Sequence, residues 1–135
     1  MRECRQRLEA IGLAVLAAAT SACVLAAAGA GAGGAIYVTD RGVQSVVAAP
    51  VEQTFLAVRE AFRALEVTET KSTSEQDGLL QKRSLEGKTQ DRDVQVDLRT
   101  EGTGTKVDVV VKKSAVTWDK DFAKRLLNTI VERAK

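Results

Sequence analysis

The stretch DRDVQVDLRT, residues 91–100, decides the fold. Val94, Val96 and Leu98 alternate with Asp93, Gln95, Asp97 and Arg99, the period of a strand with one apolar and one wet face. EGTG at 101–104 supplies a hairpin turn, and TKVDVVVKKS at 105–114 repeats the alternation with Val107, Val109 and Val111 inward. Upstream, VTETKSTS is rich in β-formers, Asp77-Gly78 signals a turn, LLQKRSL reads as a further strand, and Glu86-Gly87-Lys88 reads as the next turn.

Helices flank this run. Pro50, the only proline, fixes its own φ and disfavours helix just before it. In VEQTFLAVREAFRALE, residues 51–66, Val51, Phe55, Val58, Phe62 and Leu65 recur at helical spacing and make one apolar face. RGVQSVVAAP, ahead of it, has the β-branched content of a strand. A last helix is expected from Asp119, with Phe122, Leu126 and Ile130 as its stripe and its charges arranged to suit the helix dipole. The expected fold is α+β: a two-layer sandwich of β-α-β-β-β-β-α order, an antiparallel sheet with both helices packed on one face.

Composition narrows the function classes. The chain has 135 residues, 20 basic against 18 acidic, for a net charge of +2, with the signs interleaved, so no nucleic-acid surface is expected. It contains no histidine, which removes imidazole metal ligands and His-based triads. Its two cysteines, Cys4 and Cys23, precede the domain, so neither a disulfide framework nor a thiolate metal site is expected there. The reading is of a non-enzyme without cofactors.

The N-terminus has the features of export. Arg2, Arg5 and Arg7 precede a stretch from Ala10 to Thr39 that carries no charge. AIGLAVLAAA has the length of a secretory apolar region, and TSAC follows it directly. Small residues before Cys23 form the arrangement of a bacterial lipobox, although Thr20 stands where that pattern prefers leucine. On this reading residues 1–22 are a lipoprotein signal peptide cleaved between Ala22 and Cys23, and Cys23 is lipidated. Residues 23–36 are then an Ala/Gly-rich tether, and 37–135 the exported domain. Val24 stands where aspartate would signal inner-membrane retention, which points to the outer membrane, facing the periplasm. The alternative is an uncleaved signal-anchor, since about 20 apolar residues span a bilayer. Both readings export the same domain.

With TSAC, the Ala/Gly tether, YVTDRG, AAPVEQTFLAVREAFRALEVT and WDKDFAKRLLNTI in hand, the chain resembles the small bacterial lipoproteins grouped as family 3568 of the domains of unknown function. The resemblance covers roughly residues 20–133 and implies the fold and an envelope location, with no catalytic residues. The layout is also similar to domains of outer-membrane assembly lipoproteins, a likeness of fold alone.

Three site readings follow. Asp91, Asp93 and Asp97 on one strand face, with Asp108 on a neighbour, would form a carboxylate group, against the plainer reading of a solvated face. Trp118 either meets a membrane interface or packs the last helix onto the sheet. Phe55, Phe62 and Phe122 either fill the core or line a pocket for a small apolar ligand. The leading functional expectation is a lipid-anchored binding or adaptor domain docking an envelope partner; the alternative is a carrier or sensor of an apolar ligand.

Overall fold

The computed structural model describes residues 35–135. The expected signal segment, the expected cleavage junction Ala22–Cys23, Cys23 itself and the expected tether up to residue 34 lie outside the described residues. The elements run β1 (Tyr37–Val38), β2 (Gly42–Val47), α1 (Val51–Ala64), β3 (Thr68–Asp77), β4 (Leu80–Lys88), β5 (Asp93–Glu101), β6 (Gly104–Ser114), β7 (Thr117–Trp118) and α2 (Lys120–Arg133). This is the expected α+β order, with the two-residue strands β1 and β7 added. Among the described residues no helix is long and apolar enough to cross a membrane.

The strands form one antiparallel sheet in the order β1-β2-β6-β5-β4-β3, with β7 also paired to β6. Glycine sets both tight hairpins. Gly78 and Gly102 have φ of +59° and +60° and occupy the first central position of their two-residue turns, where a type II′ turn places glycine. In the β5–β6 pair Val94, Val96 and Leu98 stand opposite Val111, Val109 and Val107. All six are buried, and Leu85 of β4 joins them beside Val96.

Both helices cover that apolar face. Phe55, Val58, Ala61 and Phe62 of α1 and Phe122, Leu126, Leu127 and Ile130 of α2 are buried in the same core. Helix α1 starts directly after Pro50, whose carbonyl accepts both the N–H and the Oγ1–H of Thr54 at 3.0 Å. It ends in a Schellman arrangement. Glu66, at φ 56°, donates to Arg63 O at 3.3 Å, and Val67 donates to Phe62 O at 2.8 Å, so the last carbonyls are satisfied and the chain turns into β3. Asp119 caps α2 by accepting the Phe122 N–H at 2.9 Å, as its sequence position suggests.

Two boundaries differ from expectation. Glu86-Gly87-Lys88 is not a turn but the end of β4; the turn lies at Thr89–Arg92, closed by a 3.0 Å bond from Thr89 N–H to Arg92 O. Gly87 is there for closeness of packing. A Cβ on it would lie 2.6 Å from Val67 Cγ1 and 3.0 Å from Phe62 Cε2. The strand expected through Pro50 stops at Val47, and the chain then crosses the sheet end, where Ala49 O accepts from the buried Thr105 Oγ1 at 2.7 Å.

Candidate functional site

The helices leave the other face of the sheet uncovered among the described residues, and strand register arranges that face in rows. One row holds Glu75, Lys82, Arg99 and Lys106. The next holds Thr73, Ser84, Asp97, Asp108 and Gln44, and a third holds Lys71, Glu86, Gln95 and Val110. Directly paired residues of antiparallel strands point to the same side, so each row is a contiguous surface strip.

A shallow cleft of about 310 Å³ lies on this face, lined by Lys82, Gln95, Asp97, Leu98, Arg99 and Asp108. A second, of about 240 Å³, adjoins it through the shared Lys82 and Arg99 and reaches Leu80 and Thr100. Lys82 sits 3.8 Å from Glu75, Lys71 lies 3.9 Å from Glu86, and Lys88 lies 3.4 Å from Asp93. Arg99 and Lys106 form no ion pair with the described residues. Two cations in one row are thus available beside the cleft, and this face can hold an anionic group of a partner through charge-assisted hydrogen bonds.

The carboxylates group less tightly than the sequence suggests. Asp97 and Asp108 are direct cross-strand partners. Asp93 is two rows away, beyond Gln95, and faces Lys112 and Lys88. Asp91 leaves the set altogether, because it precedes β5 and binds Arg92 at 2.7 Å. Among the described residues no three acidic or cysteine side chains gather as metal ligands would. Gln95 donates to Asp97 Oδ2 at 2.9 Å.

The aromatic residues divide by face. Phe55, Phe62 and Phe122 are 5, 2 and 7% exposed and fill the helix–sheet layer. Arg59 and Arg83 cover Phe55 at 4.7 and 4.3 Å, and Arg92 and Arg125 cover Phe122 at 5.2 and 5.3 Å. Trp118 is half-buried on β7 opposite Lys112, with Lys112 5.0 Å and Arg41 6.0 Å from its ring. It therefore braces the sheet margin through cation–π contacts instead of packing α2 onto the sheet. The cleft-flanking pair Arg99 and Lys106 was not singled out as a site from sequence; two basic residues at strand positions become neighbours only once the β5–β6 register is known.

No curated protein and no solved structure matches this chain. The fold and its open face are carried by a segment that falls almost wholly within a known family model: residues 8–133 match the family described as "Protein of unknown function (DUF3568)", and the chain belongs to that family.

Proposed function

We propose that this protein is a lipid-anchored component of the cell envelope whose domain is a non-enzymatic docking module. The observation that carries the reading is the sheet face left uncovered among the described residues, with Arg99 and Lys106 forming no ion pair with those residues beside adjoining clefts. A docking surface of this kind suits an envelope partner that presents a carboxylate or another anionic group. The lipobox-like TSAC supports anchoring through Cys23, and Val24 supports the outer membrane. Anchoring would raise the local concentration of the domain near its partner, so that modest contacts suffice.

Intact mass of the protein from a membrane fraction, beside a Cys23→Ser variant, tests the anchor. A chain beginning at Cys23 with added acyl mass is expected. An unmodified chain that retains residues 1–22 would overturn lipidation. The face is tested in intact cells with a photoreactive residue at Gln95 and a control at Lys124, on the exposed side of α2. Crosslinks from Gln95 that vanish in an Arg99→Glu/Lys106→Glu variant are expected, and equal yields at the two positions would sink the assignment.

A further inference from the structure

Strand β3 is the last strand of the sheet, ten residues long and exposed throughout. One edge of it has no partner among the described residues. Such an edge is a template for another strand, and proteins usually blunt it with charge, bulges or a covering element. Here a bulge lies between Glu69 and Lys71, near the start of the strand, and leaves residues 71–77 regular.

The hairpin fixes which backbone groups face outward. Asp77 and Leu80 flank a two-residue turn and form a hydrogen-bonded pair, after which hydrogen-bonded and non-hydrogen-bonded pairs alternate. Ser72, Ser74 and Gln76 fall at non-hydrogen-bonded pairs with β4, so their N–H and C=O groups point away from it. The parity is visible one strand further in. Gln81, opposite Gln76, donates its N–H to Thr100 Oγ1 on β5 at 3.0 Å.

We infer that β3 pairs with β3 of a second copy, antiparallel about a two-fold axis at Thr73. In this register Ser72 and Ser74 of the second copy exchange both hydrogen bonds, using the groups that point outward. Lys71 stands opposite Glu75 of the second copy, and the symmetry gives that ion pair twice. Within one chain both side chains are loosely engaged, Lys71 at 3.9 Å from Glu86 and Glu75 at 3.8 Å from Lys82, so each can turn to the new partner. Glu69 does not oppose Asp77 of the second copy, because Arg59 holds it on the helix side while Asp77 belongs to the open face. Ser72, Thr73 and Ser74 are small enough for close approach. The product is one continuous sheet through both copies, with the open face unobstructed.

The full-length chain in detergent solution, followed by sedimentation, tests this by charge exchange. Wild type is expected to dimerise with concentration. Lys71→Glu and Glu75→Lys are each expected to lose the dimer, since each sets like charges together twice. Mixing the two variants is expected to restore it, because every contact then joins opposite charges, and the restored dimer also shows that both variants are folded. A wild type that stays monomeric would overturn the inference, as would single variants that still dimerise or a mixture that does not. The register has its own test. Thr73 sits on the axis at a non-hydrogen-bonded pair, where Cα atoms lie about 4.5 Å apart, within disulfide reach. Mild oxidation is expected to link Thr73→Cys copies faster than Ser74→Cys copies, and the reverse order would exclude the axis at Thr73.

Discussion

Arg92 in the β4–β5 turn donates its Nε–H to Asp119 Oδ2 at 2.7 Å, while the other carboxylate oxygen of Asp119 caps α2 through Phe122 N–H at 2.9 Å. One carboxylate therefore fastens a turn of the sheet to the start of a helix. Arg92 also lies over the Phe122 ring at 5.2 Å, so the three side chains close one end of the core.

The Phe122 N–H, and next the Arg92 side chain, hold the Asp119 carboxyl below its ordinary value. A carboxyl depressed in the folded state stabilises above its unfolded pKa, about 3.9, and that contribution is lost as pH falls from there through the folded value. Asp119→Ala is expected to cost about 0.5–2 kcal/mol at neutral pH, the usual range for a lost cap. Urea midpoints of wild type and variant should differ clearly at neutral pH and converge below the folded-state pKa. A gap that stays constant through that acid range would show that the carboxylate charge is not what matters.

Gly87 faces the helices from β4, and the 2.6 Å approach of Val67 Cγ1 to a Cβ there leaves no room for one. Val67 is buried and held by its hydrogen bond to Phe62 O, so it cannot retreat freely. Gly87→Ala is expected to destabilise by about 1–3 kcal/mol, as overpacking does. Gly78→Ala, in open space at φ +59°, tests a different cost, that of the turn backbone alone. Thermal unfolding of the two variants compares them; a neutral Gly87→Ala would mean that α1 shifts to make room.

These positions also mark how far the sequence could be read. The alternation through Val94–Leu98 and Val107–Val111, the α1 stripe and the Asp119 cap were legible because each is a local pattern with one physical meaning. Gly87 was not, because glycine marks both turns and close packing, and only the position of α1 distinguishes them. The packing reading of Trp118 failed for a similar reason, since its face depends on a two-residue strand too short to show any period. The open-face site combines residues from β4, β5 and β6, whose adjacency is a matter of register. The two aspartates of β5 and β6 were foreseeable as neighbours; the cation row beside them was not read as a site.

Asp97 and Asp108 stand directly opposite on the open face, an arrangement that costs stability in an antiparallel pair. Arg99 and Lys106 occupy the neighbouring row without an ion pair to either carboxylate, and Gln95 donates to Asp97 Oδ2. Asp108→Asn is expected to stabilise the domain by about 0.2–1 kcal/mol. Chemical denaturation measures this directly. A loss of stability instead would show that the surrounding cations depend on the Asp108 charge more than Asp97 suffers from it.

The edge of β3 makes a prediction about proline that turns on a shift of one residue. The N–H of Thr73 belongs to the ladder with β4, because Thr73 and Ser84 form a hydrogen-bonded pair by the parity set at the Asp77–Leu80 turn. The N–H of Ser74 faces outward, and an edge strand tolerates proline where the missing donor faces away from the sheet. Thr73→Pro should therefore lose a ladder bond, about 0.5–1.5 kcal/mol before any backbone strain, whereas Ser74→Pro should leave the folded domain close to wild type. Thermal unfolding of the two variants side by side, at a concentration low enough for wild type to be monomeric, decides it, because in the dimer Ser74→Pro would also remove the bonds to the second copy. If Ser74→Pro is the more damaging, the outward direction of its N–H is wrong, and the strand pairing built on that direction fails with it.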